Sequence, residues 1–178
     1  MSNTQPLTVG FVTTCRGRLH HLKQTIPRLV AEHPDEIIVV DHDCPQGTGD
    51  WLEQNHPNVI VARVRDGAPF NVARARNIGI RLSTSDVLCV IDADIMVKPG
   101  FAAWIRRNAR GPRFFRRATQ QGQRALQTWG TVVCPRQRLL KVGLYDEAFD
   151  GWGGEDDDIY WRLSAAGMSE EGFPFDAI

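Results

Sequence analysis

No apolar run in this 178-residue chain approaches the length that spans a bilayer, and no internal repeat or low-complexity tract is visible. Both absences exclude whole classes, a helical membrane protein and a repeat array. The opening residues, Met1 to Leu7, hold neither a charged nor an apolar stretch, so no secretory leader is expected. Cysteine is scarce. Cys15, Cys44, Cys89 and Cys134 lie far apart without paired metal-ligand spacing, which argues against a zinc module and against a disulfide framework. Four reduced thiols are expected, with Cys89 in the core, and a cytoplasmic location that extends at most to the inner face of a membrane. Net charge is missing as well: 21 basic residues balance 21 acidic ones, so nothing global points to nucleic acid or a membrane surface.

What is present is local. Arg106, Arg107, Arg110, Arg113, Arg116, Arg117 and Arg124 crowd one segment, and Asp146, Glu147, Asp150 and the run Glu155 to Asp158 crowd the next. The basic segment reads as a solvated loop over the edge of the site, with phosphates, acidic glycans or anionic lipid as partners it would suit and peripheral membrane contact through Arg106 to Arg124.

Ahead of that segment, strand and helix patterns alternate. Leu7 to Thr14 reads as a buried strand, followed by a helix with Leu19, Leu22, Ile26 and Leu29 on one face and a kink expected at Pro27. Glu36 to Asp41 and Val59 to Val64 read as strands flanking a short helix at Trp51-Leu52, and Phe70 to Leu82 as a helix. Val87 to Ile91 is wholly apolar and reads as a central strand. The alternation predicts an α/β fold with a mainly parallel sheet in one domain over residues 1–178. Ligands bind beyond the carboxyl ends of such strands, so Thr13-Thr14, Asp41 and Asp92-Ala93-Asp94 should meet along one edge. Further on, Pro99-Gly100 starts another helix, Gln127 to Cys134 has strand character and Pro135 to Lys141 is a short helix.

Gly151-Trp152-Gly153-Gly154-Glu155-Asp156-Asp157-Asp158 places three glycines and an aromatic before four consecutive acids. The run opens a helix whose buried stripe is Ile159, Leu163 and Ala166, so Glu155 and Asp156 share that stripe and point inward or into a cleft. Asp158 precedes Arg162 by one turn and pairs with it on the outer face. Decoration of a helix N-terminus is the alternative reading for all four. Asp92 and Asp94, two apart on an extended backbone, project to one side, and paired carboxylates suit Mg²⁺ or Mn²⁺. Arg74, Arg76 and Asn77 lie on the preceding helix. An arginine fork suits a diphosphate, and Asn77 is positioned to hold the loop carrying the acids.

Val-Val-Asp41-His-Asp-Cys-Pro-Gln-Gly-Thr, Ala75-Arg76-Asn77-Ile78-Gly79-Ile80, Asp92-Ala93-Asp94 and Trp152-Gly-Gly-Glu-Asp-Asp-Asp-Ile-Tyr160 together resemble the nucleotide-sugar glycosyltransferases of the GT-A fold. The first half resembles family 2, and the last forty or so residues resemble the β-1,4-galactosyltransferase C-terminal domain and bacterial chondroitin-polymerase modules. The resemblance implies a metal-dependent inverting transferase with a UDP-sugar donor, galactose or N-acetylgalactosamine, and a glycan or glycolipid acceptor, serving cell-surface or capsular polysaccharide synthesis. It implies a nucleotide-binding set of Thr13, Asp41, Arg76 and Asp92. Asp94 would be the principal metal ligand with Asp92 beside it, and Mn²⁺ or Mg²⁺ the ion. Trp152 would stack on the acceptor sugar, Gly153 and Gly154 would admit it to the backbone, Glu155 would hold hydroxyls and Asp156 would be the general base. A retaining transferase and a catalytically silent nucleotide-sugar binder are the alternatives. Two departures stand out. The family's further metal-ligand histidine falls past Ile178, while His20, His21, His33, His42 and His56 all lie in the first third. Asp-His-Asp-Cys-Pro also replaces the family's Asp-Asp-Gly-Ser.

Overall fold

The computed structural model describes residues 5–116, 119–120, 123–124, 128–151 and 153–178. The first half alternates as its pattern predicts: β1 Val9–Cys15, α1 Leu19–Ala31, β2 Glu36–His42, α2 Thr48–Asn55, β3 Ile60–Val64, α3 Val72–Leu82, β4 Val87–Val90 and α4 Phe101–Asn108. β5 Arg113–Arg116, the short pair β6 Thr119–Gln120 and β7 Gln123–Arg124, β8 Val132–Pro135, α5 Arg136–Lys141, α6 Glu155–Ala165 and β9 Ser169–Glu171 follow. Helix α1 continues through Pro27 to Ala31.

Seven strands form one sheet in the order β3-β2-β1-β4-β8-β5-β9, and β6 pairs with β7 apart from it. β1 runs parallel to β2 and β4, whereas β8 is antiparallel to both β4 and β5. From β1 the chain winds outward to β2 and β3, then returns to the other side of β1 as β4. This reversal opens a crevice beyond the ends of β1 and β4, where open α/β sheets bind ligands.

Each face of the sheet buries its own core. Leu22, Ile26 and Leu29 of α1, Leu52 of α2 and Phe101 and Ile105 of α4 cover Phe11, Val39 and Cys89. Ala73 and Ile80 of α3, Leu139 of α5 and Ile159 and Leu163 of α6 cover Val12, Val40 and Val90. Burying such aliphatic and aromatic side chains is worth about 1.5–3 kcal/mol each, which makes these helices stable where none would be alone. Gly79 permits α3 to lie close on β1: a Cβ there would stand 2.4 Å from Val12 Cγ1.

The arginine-rich segment corrects an expectation. It is not one loop over the site edge, because Arg113–Arg116 forms a strand within the sheet, between β8 and β9. The reason lies in Phe114 and Phe115, both buried and facing opposite cores. The arginines flanking them mask a strand signal only two residues long. Arg117 lies outside the described residues, as do the side chain of Arg124 and Gln127, where strand character was expected to begin; the described strand there starts at Val132.

Among the described residues no helix is long and apolar enough to cross a membrane.

Candidate active site

Arg76 organises the site. It sits one turn into α3, 4% exposed, with its guanidinium aimed at the carboxyl edge of the sheet. Nη1 donates to Asp156 Oδ1 at 2.8 Å and to Glu155 Oε1 at 3.3 Å, and Nη2 donates to Asp92 Oδ1 at 3.0 Å. The Tyr145 ring lies 5.1 Å from the guanidinium carbon. One cation therefore faces three carboxylates contributed by the strand-end turn and by the start of α6.

That imbalance sets the protonation of the cluster. Burial raises the Asp156 pKa to about 7, and repulsion from Glu155 and Asp92 adds to the rise while Arg76 opposes it. Burial works against the charge on Arg76, but Tyr145, Asp156 and Asp92 outweigh it and hold the guanidinium above its ordinary range. Asp156 is thus a carboxyl close to half-ionised at neutral pH beside a permanent cation. A group poised in this way suits acid-base work.

Asp92 and Asp94 follow β4 with nearly two-fifths of each side chain exposed, but they have different partners. Asp92 belongs to Arg76, while Asp94 Oδ2 accepts from Arg18 Nη1 at 2.9 Å. The backbone of Gly130 closes over the first pair, since a Cβ there would stand 2.5 Å from Asp92 Oδ2 and 2.7 Å from Arg76 Nη2. Among the described residues no group of three or more His, Cys, Asp or Glu side chains converges as a complete metal cage. Two solvent-facing carboxylates still fit Mg²⁺ or Mn²⁺, hard ions that take few protein ligands and complete their shell with phosphate and water.

Asp41 lies at the end of β2 with no exposed surface. It accepts from the backbone N–H of Cys44 and of Gly49 at 2.9 Å each, and from Arg65 Nη2 at 2.9 Å. Burial pushes its pKa up, but Arg65 and the two N–H groups outweigh burial and hold it below the usual carboxylate range. Its oxygens thus serve the protein, shaping the turn from 43 to 49 and anchoring Arg65. Thr13 is buried at the end of β1, its hydroxyl without a protein partner.

At the start of α6, Glu155 and Asp156 are buried on the inward stripe. Asp158 accepts from Arg162 Nε at 3.0 Å, the outer-face pair that the spacing predicts. Asp157 is exposed, with Arg116 Nη1 3.7 Å away. Gly153 and Gly154 adopt φ of +100° and +95°, a conformation open to glycine, so the chain swings directly into the helix. Trp152 lies outside the described residues.

Sequence reasoning missed Arg18, Arg65, Tyr145 and Gly130 as parts of this edge. Arg18 is the residue that caps the start of α1 and Gly130 lies in the turn before β8, a signal that becomes readable only once the edge is known. Arg65 and Tyr145 are brought in by tertiary packing and leave no local mark.

The fold and this edge define a class, the GT-A glycosyltransferases. Residues 11–109 match glycosyl transferase family 2, and residues 118–178 match the N-terminal domain of galactosyltransferase. The chain belongs to glycosyl transferase family 2. It is similar to β-1,4-galactosyltransferase 1 of Bos taurus, 28% identical over 155 residues that cover 79% of this chain and 39% of that protein. The chain therefore spans well under half the length of the curated relatives it matches. Among solved structures, the mannosyltransferase PcManGT from Pyrobaculum calidifontis in complex with GDP-Man and Mn²⁺ superposes with a TM-score of 0.76 at 14% identity, covering 97% of this chain and 56% of that one. GalNAc-T7 with UDP, GalNAc and Mn²⁺ superposes with a TM-score of 0.74 at 16% identity, covering 97% and 43%. At those identities the superpositions speak for the fold.

Proposed function

We propose that this domain transfers galactose or N-acetylgalactosamine from a UDP-sugar to a hydroxyl of a glycan or glycolipid acceptor, inverting the anomeric carbon, with Asp156 as general base. The observation that carries the reading is the Arg76 cluster, which gathers Asp92, Glu155 and Asp156 beside the crevice at the end of β4. The named activity of the galactosyltransferase relatives, and the UDP, GalNAc and Mn²⁺ held by one structural neighbour, support the donor class.

In this reading the acceptor hydroxyl gives its proton to a carboxylate oxygen of Asp156 as its own oxygen bonds to the anomeric carbon. The bond from that carbon to the diphosphate breaks on the opposite face, and UDP leaves with the electron pair. Asp156, with its pKa near 7, is basic enough to take the proton and still largely ionised just above neutrality. Arg76 favours its ionised form against burial and orients it through their hydrogen bond, a positioning role in place of direct contact with the nucleotide. Glu155, held on the same guanidinium, is assigned to sugar hydroxyls. Asp94 and Asp92 would hold Mn²⁺ or Mg²⁺, which when bound neutralises charge on the leaving diphosphate. Thr13, Arg65 and the turn built by Asp41 are assigned to the nucleoside side, and Trp152 with Gly153 and Gly154 to the acceptor. We place the reaction in the cytoplasm or at the inner face of a membrane, where four free thiols would persist.

The test is incubation with Mn²⁺ and a panel of UDP-sugars, read as UDP release. Turnover with one donor, lost in Asp156→Asn and Asp94→Ala, is the expected result. No release with any donor, or undiminished release in both variants, overturns the reading.

A further inference from the structure

We infer that Asn71 is a positioning residue for the start of α6, acting through a strap formed by residues 145–149; the inference rests on the transfer reading above. Asn71 caps α3, its Oδ1 accepting from the backbone N–H of Arg74 at 2.8 Å. Capping uses only that oxygen. The amide nitrogen does separate work: Nδ2 donates to the carbonyls of Glu147 and Phe149, each at 3.0 Å. Six positions on, Asn77 grips the same strap, accepting from the Tyr145 N–H at 2.9 Å and donating to the Tyr145 carbonyl at 2.9 Å.

The strap leads directly into the acids. Past Phe149 the backbone runs into Gly151, Gly153 and Gly154, all at positive φ, and then into Glu155. Glycines leave such a turn with many conformations, so a fixed geometry has to come from outside it. Phe149 supplies one anchor, because its ring lies against Gly154 so closely that a Cβ there would stand 2.8 Å from Cε1. Asn71 holds the carbonyl of that same residue. Both ends of the glycine turn are thereby referred to α3, the helix that carries Arg76, so the arginine and the acids it orients share one frame. A displacement of a reacting group by about an ångström costs on the order of 100-fold in rate, which is why such a frame matters to Asp156.

Asn71→Ser separates the two duties. Serine keeps an oxygen for the Arg74 N–H and removes the amide that reaches Glu147 and Phe149. Amide hydrogen exchange is followed in the unliganded protein, and the segment 145–154 is expected to exchange on the order of 10-fold faster in the variant with α3 unchanged. Hydrolysis of whichever UDP-sugar the wild type turns over, with water as acceptor, is expected to lose roughly 10- to 100-fold in kcat while KM for the donor and calorimetric UDP binding stay within about 2-fold. Unchanged exchange overturns the strap whatever the activity does. Faster exchange with an unchanged kcat overturns its link to the reaction. If the wild type releases no UDP from any donor, the transfer reading falls and exchange alone decides the strap.

Discussion

Two buried carboxylates at one sheet edge, Asp41 and Asp156, each touch an arginine, and they titrate in opposite directions. Asp41 meets Arg65 and two backbone N–H groups, so every neighbour within bonding distance favours its charge. Asp156 meets an arginine that it must share with Glu155 and Asp92. Burial raises both pKa values, and what separates them is the balance of donors to acids. A carboxylate saturated by donors is a structural part. One left in a crowd of acids around a single cation is available for proton transfer.

Removing the shared cation is the strongest way to break this comparison. Arg76→Met leaves three facing carboxylates without a counter-charge and should cost about 3–5 kcal/mol of stability at neutral pH, since an unpaired buried charge is left behind. Thermal melts at two pH values check the cause, because the loss should shrink where Asp156 is protonated, below its pKa of about 7. An equal loss at both would point to packing alone.

Asp156→Asn comes next. It should lower sugar transfer by roughly 100- to 10,000-fold, the usual contribution of a general base. Its stability effect has a defined sign. The folded-state pKa of Asp156 is raised, so its contribution to stability is fully present below the unfolded value, near 3.8, and is lost as pH rises through about 7. The asparagine variant should therefore gain on the wild type as pH rises from about 4 to about 7 and keep that gain above neutrality, measured as the difference in unfolding midpoints.

Asp41→Asn should show the reverse, and is smaller. The Asp41 pKa is depressed, so its contribution is present above the unfolded value and is lost as pH falls. The variant should cost about 1–3 kcal/mol at pH 7, from the weakened bonds to Arg65 and to one backbone N–H, and the difference should vanish in acid.

Glu36 extends the Asp41 side of the comparison and carries the smallest effect. Its carboxylate accepts from the backbone N–H of Thr84 at 3.0 Å, from the Ser85 hydroxyl at 2.8 Å and from the Ser83 hydroxyl, closing the turn into β4. Burial opposes the charge, and the Ser83, Thr84 and Ser85 donors outweigh it and lower the pKa to about 2. Glu36→Gln should cost about 1 kcal/mol at neutral pH, with the difference disappearing as pH falls from near 4.5 toward about 2. A midpoint difference that persists in acid would contradict the assignment.

The two halves of the chain were unequally legible, for the same reason that separates the two carboxylates. From β1 to β4 each element declares itself by its own apolar period, and Asp41, Asp92 and Asp94 fall at strand ends that the pattern already locates. Helix α6 was readable too, because Ile159 and Leu163 fix the face on which Glu155 and Asp156 lie. What escaped depends on partners remote in sequence. β5 has only Phe114 and Phe115 to announce it and takes its place from pairing with β8 and β9. The resemblance assigns Arg76 to the nucleotide, and nothing local to it announces that its guanidinium also reaches residues sixteen, seventy-nine and eighty positions away. Nothing in Asp-His-Asp-Cys-Pro signals that Asp41 is consumed by Arg65, which comes from the next strand's end.

The most direct test is the pH dependence of kcat for UDP-sugar turnover in the wild type beside Asp156→Asn. The wild type should rise along a limb centred near the Asp156 pKa of about 7 as that carboxyl ionises, and the variant should be slow and lack the limb. A wild-type profile flat from about pH 5 to about pH 8, or a variant that keeps both the rate and the limb, would show that Asp156 is not the base.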